Sequence, residues 1–454
     1  MTRWVGVTSS APAPRLSAGF RQLPLWQAEL PAFPVSAGPP PRSCDVLVVG
    51  GGYAGLRAAT VLARAGREVA VVTESLFEAA SGRNGGQVLA ELHTSHAVLK
   101  RRHGGLGQAA GRETAEYLAA FETMVAELGD EADVQYRRCG HLMVAHNPAA
   151  AARMAGYAED LQAVGEHAEL LSPERLADEL DSPLAHAGVL VEAAGAVHPG
   201  RLHLALARQA VDAGVRMHDG HRVHHLEPHD GAVVAHLATS TTSEGGTIRA
   251  GSVVLATHAT AHNPWAPARS RVLAINSYMV ATEPLDASLV DAIARHRRTY
   301  VDTKQLLFYW QVTADGRLAF GGRKSLRPAT LEQSTAFLAA AVDALFPQLA
   351  EARTGIEFAW FGQVAMTLNR LPVLRRDGQV VTVAGCNGSG VALMSWLGGK
   401  AGELLLGGEA PALGRLPQPL VPVRPLAPLG LPLLSRWVEH QDRPWPSPVD
   451  RPHA

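Results

Sequence analysis

Three glycine-rich turns carry the residues of this chain best suited to chemistry. The first lies in CDVLVVGGGYAGLRAATVLARAGREVAVVTE, residues 44–74. A short β-branched run, Val46 to Val49, has the character of a buried parallel strand. Gly50, Gly52 and Gly55 follow in GxGxxG spacing, and Tyr53 and Ala54 stand where a helix opens. The helix is rich in Ala and Leu and stops at Gly66. A second apolar run, Val69 to Val72, leads to Glu74, 24 positions after Gly50. Each residue type suits a dinucleotide. Gly50 permits the tight turn, Gly52 lets a pyrophosphate approach the backbone, and Gly55 lets helix and strand pack closely. The helix N-terminus offers free N–H groups and partial positive charge, and Glu74 can accept ribose hydroxyls. A ligand-free glycine turn is the bland alternative; the flanking strand and helix and the well-placed acid argue against it.

The second turn is Ser81-Gly82-Arg83-Asn84-Gly85-Gly86-Gln87. It interrupts the chain where an NAD-binding half would run on into helix and third strand. Its backbone N–H groups, Ser81 and Arg83 can reach a larger cofactor extending from the pyrophosphate. The third turn follows an apolar run, Val380 to Ala384. There Gly385, Cys386, Asn387, Gly388, Ser389, Gly390 and Val391 open a helix to about Leu406.

At 454 residues the chain is long enough for two or three lobes. With 41 basic and 42 acidic residues it has no electrostatic signature of a nucleic-acid binder. Cys44, Cys139 and Cys386 form no CxxC pair, so neither a disulfide framework nor a zinc site is expected, and a reducing compartment is the default. No metal is expected at His221, His224, His225, His229 and His236, whose irregular spacing fits a solvated face. No signal peptide and no apolar run of bilayer length stands out, which implies a cytoplasmic protein without a membrane span.

The elements that must position these turns are legible in outline. Residues 1–43 form a Pro-rich arm in which Trp26 is expected to dock on the body. Helices are expected over Thr114 to Leu128, Ala149 to Val164, from Ser172-Pro173, and over Arg201 to Ala213. Hairpin strands are expected over 215–257, with a turn at 241–247. Further strands are expected at Gly140 to Ala145, Tyr278 to Leu285, Leu306 to Val312, Arg317 to Phe320 and Gly355 to Phe361, with a helix at Ser334 to Leu345. The tail, 411–454, is Pro-rich with one short helix around Leu433 to Glu439.

The segments GGGYAGL (50–56) and ASGRNGGQ (80–87) resemble those of FAD-dependent oxidoreductases of the D-amino-acid oxidase/glycine oxidase superfamily, most of all its gamma-glutamylputrescine oxidoreductase branch. The resemblance implies a mixed α/β (α+β) fold. A Rossmann-type FAD-binding domain, made of 44–135, 185–265 and 371–410, would interleave with an antiparallel-sheet substrate domain, made of 136–184 and 266–370. It implies non-covalent FAD and a place for Val223 beside the adenine. His198, in a G-x-x-HP turn, would border the active site; a turn histidine set by Pro199 is the alternative. The third turn would meet the flavin's pyrimidine end with its helix N–H groups. This chain has Gly388-Ser389-Gly390 where the family has GHG, and His258 where the family has glycine.

The implied activity is oxidation of an amine C–N bond: hydride transfer to flavin, imine hydrolysis, and reoxidation by O2 to H2O2. The substrate would be a small amine or amino acid, such as a gamma-glutamyl-polyamine-like amine. Tyr309, Trp310, Trp360 and Phe361 are aromatic pocket candidates, with Tyr309 also a candidate catalytic group; sheet core is the alternative. Arg323 is a candidate for a substrate carboxylate, with a plain ion pair as the alternative. Rival readings are an oxidase of D- or N-methyl amino acids, a dehydrogenase using another acceptor, a non-catalytic flavin-binding protein, and an NAD-only dehydrogenase.

Overall fold

The computed structural model describes residues 14–421 and 442, except 29, 37, 240–244, 260–263, 266–270 and 327–328. The β-branched runs flanking the first and third turns assemble one eight-stranded sheet. Strand Ser43–Val49 lies between Val69–Val72 and Thr247–Leu255, parallel to both. Arg216–His218 extends the parallel edge beyond Val69–Val72, and Val380–Ala384 pairs parallel with the end of Thr247–Leu255. Antiparallel strands His221–His229, Ala232–Thr239 and Val373–Asp377 complete it. The central strands are buried on both faces, as continuous apolar runs require.

Two helices that follow glycine-rich turns cover this sheet side by side. Tyr53–Arg64 follows the first turn and Gly390–Leu405 the third. They cross so closely that a Cβ at Gly398 would overlap the Ala54 backbone. The crossing sets both N-termini at the same end of the sheet, where parallel α/β sheets bind ligands.

A nine-stranded sheet forms the other lobe. Its order runs Leu16–Arg21, Ile356–Met366, Leu273–Thr282, Leu318–Gly322, Tyr309–Val312, Thr299–Asp302, His141–Val144, Gly188–Val191, Ala168–Leu170. It is antiparallel except where Leu16–Arg21 meets Ile356–Met366 and Thr299–Asp302 meets His141–Val144. Its core is aromatic, with Trp310 stacked on Tyr300 at 5.3 Å and against Phe320 and Phe346.

Several expectations change. The Pro-rich arm is not all arm: Leu16–Arg21 is an edge strand of the nine-stranded sheet, and Trp26 is buried against His198 and Trp360. Gly188–Val191 also belongs to that sheet, although the boundary at 185 assigned it to the other lobe. The helix expected over Ala149 to Val164 is two, Pro148–Ala151 and Met154–Gln162. The helix at Thr114 to Leu128 begins earlier, at His96, and is broken at Gly104 (φ +57°, ψ −134°). The strand expected from Leu306 starts only at Tyr309. Carboxylates hold the preceding amides in a loop: Asp302 Oδ1 accepts from the N–H groups of Lys304 and Phe308, and Asp442 accepts from Gln305 and Leu306. The helix expected at Leu433 to Glu439 and most of the 241–247 turn lie outside the described residues.

Candidate active site

The first turn is built from both sides. Gly50 sits at φ +107°, and a Cβ there would come within 2.5 Å of the Ala256 carbonyl oxygen, so only glycine serves. Gly52 caps the helix without a side-chain hydrogen bond. The Tyr53 N–H donates to Ser81 Oγ at 2.8 Å, and the Tyr53 hydroxyl donates to the Pro199 carbonyl at 3.1 Å. His203 donates from Nε2 to the Gly51 carbonyl at 2.6 Å. It lies on the helix Pro199–Asp212, is fully buried, and leaves Nδ1 without a partner. Burial pushes its pKa down to about 4, so it is neutral at pH 7. Nothing in the sequence alone singles out His203. Its signal, a polar residue on the buried face of an amphipathic helix, has meaning only once that helix is known to lie on the glycine turn.

At the far end of Val69–Val72, Glu74 is exposed and the Thr73 carbonyl accepts from the His221 N–H at 3.0 Å. That bond brings Val223, buried, and Arg222 to the same edge. Arg222 Nε is buried without a hydrogen-bond partner among the described residues.

The side chains of the second turn are occupied within the protein. Arg83 donates from Nε to the Phe361 carbonyl at 3.0 Å and pairs with Glu78 at 2.8 Å. Asn84 donates to the Ser81 carbonyl at 2.8 Å and accepts from the Gly86 N–H at 2.8 Å. Gln87 donates to the carbonyls of Tyr300 and Trp310 at 2.9 and 3.1 Å. Gly85 packs under the Tyr309 ring, its carbonyl accepting from Gln311 at 2.6 Å, and Gly82 lies against His203. The turn therefore stitches the two lobes together. The side chains of Arg83, Asn84 and Gln87, expected on the cofactor, are bonded to the backbone that would shape its site.

The third turn splits in the same way. Asn387 (φ +54°) accepts through Oδ1 from the Thr367 N–H at 2.9 Å and donates to the Gly385 carbonyl at 2.8 Å, so its side chain braces the turn. Cys386 Sγ, buried, lies 3.9 Å from Nε2 of the half-buried His258. Burial resists ionisation of the thiol, but the His258 charge and hydrogen bond bring its pKa below the ordinary value. Ser389 heads the late helix without capping it. Its hydroxyl reaches Glu91 Oε1 at 2.7 Å and His93 Nε2 at 3.1 Å. Gly388, Gly390 and Val391 complete the helix start.

Tyr309 faces this region from the nine-stranded sheet, its hydroxyl 3.1 Å from Ser277 Oγ. Strand alternation turns Trp310 into the opposite core. Burial raises the Tyr309 pKa, while Ser277 and the Arg323 charge oppose. Arg323 is half-buried and makes no hydrogen bond or ion pair among the described residues. Burial lowers its pKa; Tyr309 opposes the shift and Arg370 adds to it. Trp360 is closed off: it is 1% exposed, donates to the Arg83 carbonyl at 2.8 Å, and packs on Trp26. Phe361 is 40% exposed. His198 is a helix cap, its Nδ1 accepting from the Arg201 N–H at 3.2 Å, with its ring edge-on to Trp26. It lines a cleft with Trp26, Arg201 and Asp315 that includes neither Tyr309 nor Arg323. Among the described residues no group of three or more His, Cys, Asp or Glu could hold a metal, and no helix is long and apolar enough to cross a membrane.

These residues fit FAD. Two helix N-termini whose N-cap residues make no side-chain hydrogen bond to the helix point from one end of the sheet, and the first is preceded by a turn that only glycine can make. The buried, unpartnered Arg222 Nε and the exposed Glu74 carboxylate mark a polar receptor at the expected adenosine end.

Residues 45–404 match the family model DAO, FAD dependent oxidoreductase. The "Probable oxidoreductase OrdL" of Rhizobium meliloti (strain 1021) is 30% identical over 423 residues, 90% of this chain and 93% of that protein. Gamma-glutamylputrescine oxidoreductase of Escherichia coli (strain K12) is 28% identical over 374 residues, 80% and 84% of the two chains. The solved structure of glycine oxidase from Geobacillus kaustophilus superposes with a TM-score of 0.67 at 20% identity, covering 85% of this chain and 98% of that one. The chain, with its glycine-rich turns, crossed helices and mixed sheets, belongs to the DAO family of FAD-dependent oxidoreductases.

Proposed function

We propose that this enzyme oxidises the C–N bond of an amine that also bears a carboxylate, and that Arg323 holds that carboxylate. The observation that carries this reading is a guanidinium without a partner among the described residues, half-buried beside Tyr309. A cation withdrawn from water is stable only with a counter-charge, and a carboxylate fits the guanidinium fork. The Tyr309 hydroxyl, held by Ser277, orients the substrate. Met279, Trp360 and Trp26, packed behind Tyr309, exclude water from that wall. FAD, when bound, supplies the two-electron acceptor for the oxidation. With the Tyr53 N–H already donated to Ser81, the remaining N–H groups at the first helix start and those after Ser389 would hold its pyrophosphate and its flavin, respectively. The imine product hydrolyses in water, and O2 is the acceptor we assign for reoxidation, giving H2O2. Three free cysteines suit a cytoplasmic enzyme.

Two substrate classes carry the required group. In an amino acid the carboxylate adjoins the oxidised carbon; in a gamma-glutamyl amine it lies at the remote end. Anaerobic titration of the visible flavin bands separates them. Gamma-glutamylputrescine or an N-methyl or D-amino acid should bleach the flavin, and putrescine should not. Arg323→Met should weaken the productive substrate by about 30- to 1,000-fold, the cost of losing a charge-assisted pair. Equal bleaching by putrescine, or an unaltered Arg323→Met variant, would refute the assignment. Peroxide released in air, measured against substrate consumed, tests the acceptor.

A further inference from the structure

One polar cluster near the late helix has no part in holding the turns. Glu91 and His93 follow the short strand Gln87–Leu89, and Ser389 stands between them. The Ser389 hydroxyl donates to Glu91 Oε1 at 2.7 Å, so its lone pair accepts from His93 Nε2–H at 3.1 Å. That chain fixes the tautomer and leaves His93 Nδ1 as an open acceptor, with no hydrogen bond among the described residues. The Thr94 hydroxyl donates to the Asn369 carbonyl at 3.1 Å, tying this segment to the neighbour of Arg370.

The charged groups facing His93 are Glu91, Arg370 and Arg323. Glu91 in turn neighbours Tyr117, whose hydroxyl donates to its carbonyl at 2.8 Å, and acts on Tyr157 and His141. Burial lowers the His93 pKa, Glu91 opposes, and the two guanidiniums lower it further. Burial and the two guanidiniums therefore favour the neutral imidazole in the free protein.

We propose that a carboxylate seated on Arg323 turns His93 into a proton acceptor, so that anion binding and proton uptake are one coupled event. This rests on the assignment of Arg323 to the substrate carboxylate. The carboxylate cancels one of the two positive charges that oppose the imidazolium. Glu91, linked through Ser389, then dominates the field. For a substrate ammonium the N–H bond breaks, the Nδ1–H bond forms, and the amine is left neutral with the lone pair that its oxidation requires. The proton returns to solvent when the product carboxylate leaves. Ser389 is a positioning residue, transmitting the Glu91 charge to the ring.

Propionate, an anion without a C–N bond, isolates the binding step. The holoenzyme is titrated calorimetrically with propionate between pH 6 and 8 in buffers of different ionisation enthalpy. Proton uptake is expected, with affinity rising by up to about tenfold per pH unit as pH falls. In His93→Gln the uptake should vanish and the pH slope flatten, while propionate still binds through Arg323. In Ser389→Ala the imidazole remains but loses Glu91, so the uptake should move to lower pH. That variant carries the test if His93→Gln fails to hold flavin. Binding without proton uptake in the wild type, or unchanged uptake in both variants, overturns the coupling and leaves the Arg323 assignment intact. No propionate binding, or equal binding by wild type and Arg323→Met, overturns both.

Discussion

Replacing His203 should loosen the glycine turn and remove part of the enzyme's acid sensitivity. Its Nε2–H is the donor to the Gly51 carbonyl, at 2.6 Å and away from water. His203→Leu leaves that carbonyl without its donor, a loss of about 1–3 kcal/mol. His203→Gln retains a donor and should lose less. The pH argument adds a second signature. The folded-state pKa is about 4, against 6.5 for an ordinary histidine. Because the unfolded state binds more protons between these values, the stabilisation is complete above pH 6.5 and falls as pH drops towards 4. Linkage gives a loss of about 2 kcal/mol at pH 5 and about 3 kcal/mol at pH 4 from this residue alone. Both variants lack that titration, so the gap to the wild type should narrow, or reverse, as pH falls. Urea unfolding of the holoenzyme at pH 8 and pH 5, followed by flavin fluorescence and far-UV circular dichroism, reports both effects. At pH 8 His203→Leu should also release FAD at lower urea than His203→Gln. If His203→Leu matches the wild type at pH 8, the hydrogen bond contributes nothing. If His203→Gln keeps the full acid sensitivity, the titration belongs to other buried histidines such as His146 and His198.

Two further substitutions test the scaffold. Gly398→Val should force apart the two turn-bearing helices, because even a Cβ overlaps the Ala54 backbone; we expect an apoprotein-like preparation with a lowered flavin-to-protein absorbance ratio. Glu179→Ala leaves Arg298 without its bidentate partner at 2.7 and 2.8 Å; thermal unfolding should show a loss of about 3–5 kcal/mol, largely independent of salt.

What could be seen in the sequence is local. Gly50 is demanded by a positive φ within its own turn, and the strands around it by runs of β-branched residues. Trp26 is buried, as a lone tryptophan in a polar arm suggests. The second turn is conspicuous by composition, but the protein partners of its side chains are not. A glycine-rich segment with Ser, Arg and Asn looks the same whether its side chains face a ligand or the neighbouring lobe. The partners that decide the matter, Phe361 and Trp310, lie 278 and 223 residues from Arg83 and Gln87. His198 shows the same ambiguity: a histidine before proline can cap a helix or serve a site, and the Arg201 N–H at 3.2 Å makes it a cap.

The sequence by itself determined the glycine turns, the parallel strands beside them, the family and its cofactor, because φ, side-chain branching and short spacings act between near neighbours. The tertiary structure decided which polar groups meet. His203 reaches Gly51 across 152 residues, Ser389 reaches His93 across 296, and Asp442 holds the loop before Tyr309 across 136. Arg323 gains its meaning from a partner it lacks among the described residues. Such contacts depend on the packing of two sheets and on water being excluded between them. A short polar side chain carries no local mark of that, since its cost or value appears only when it is buried.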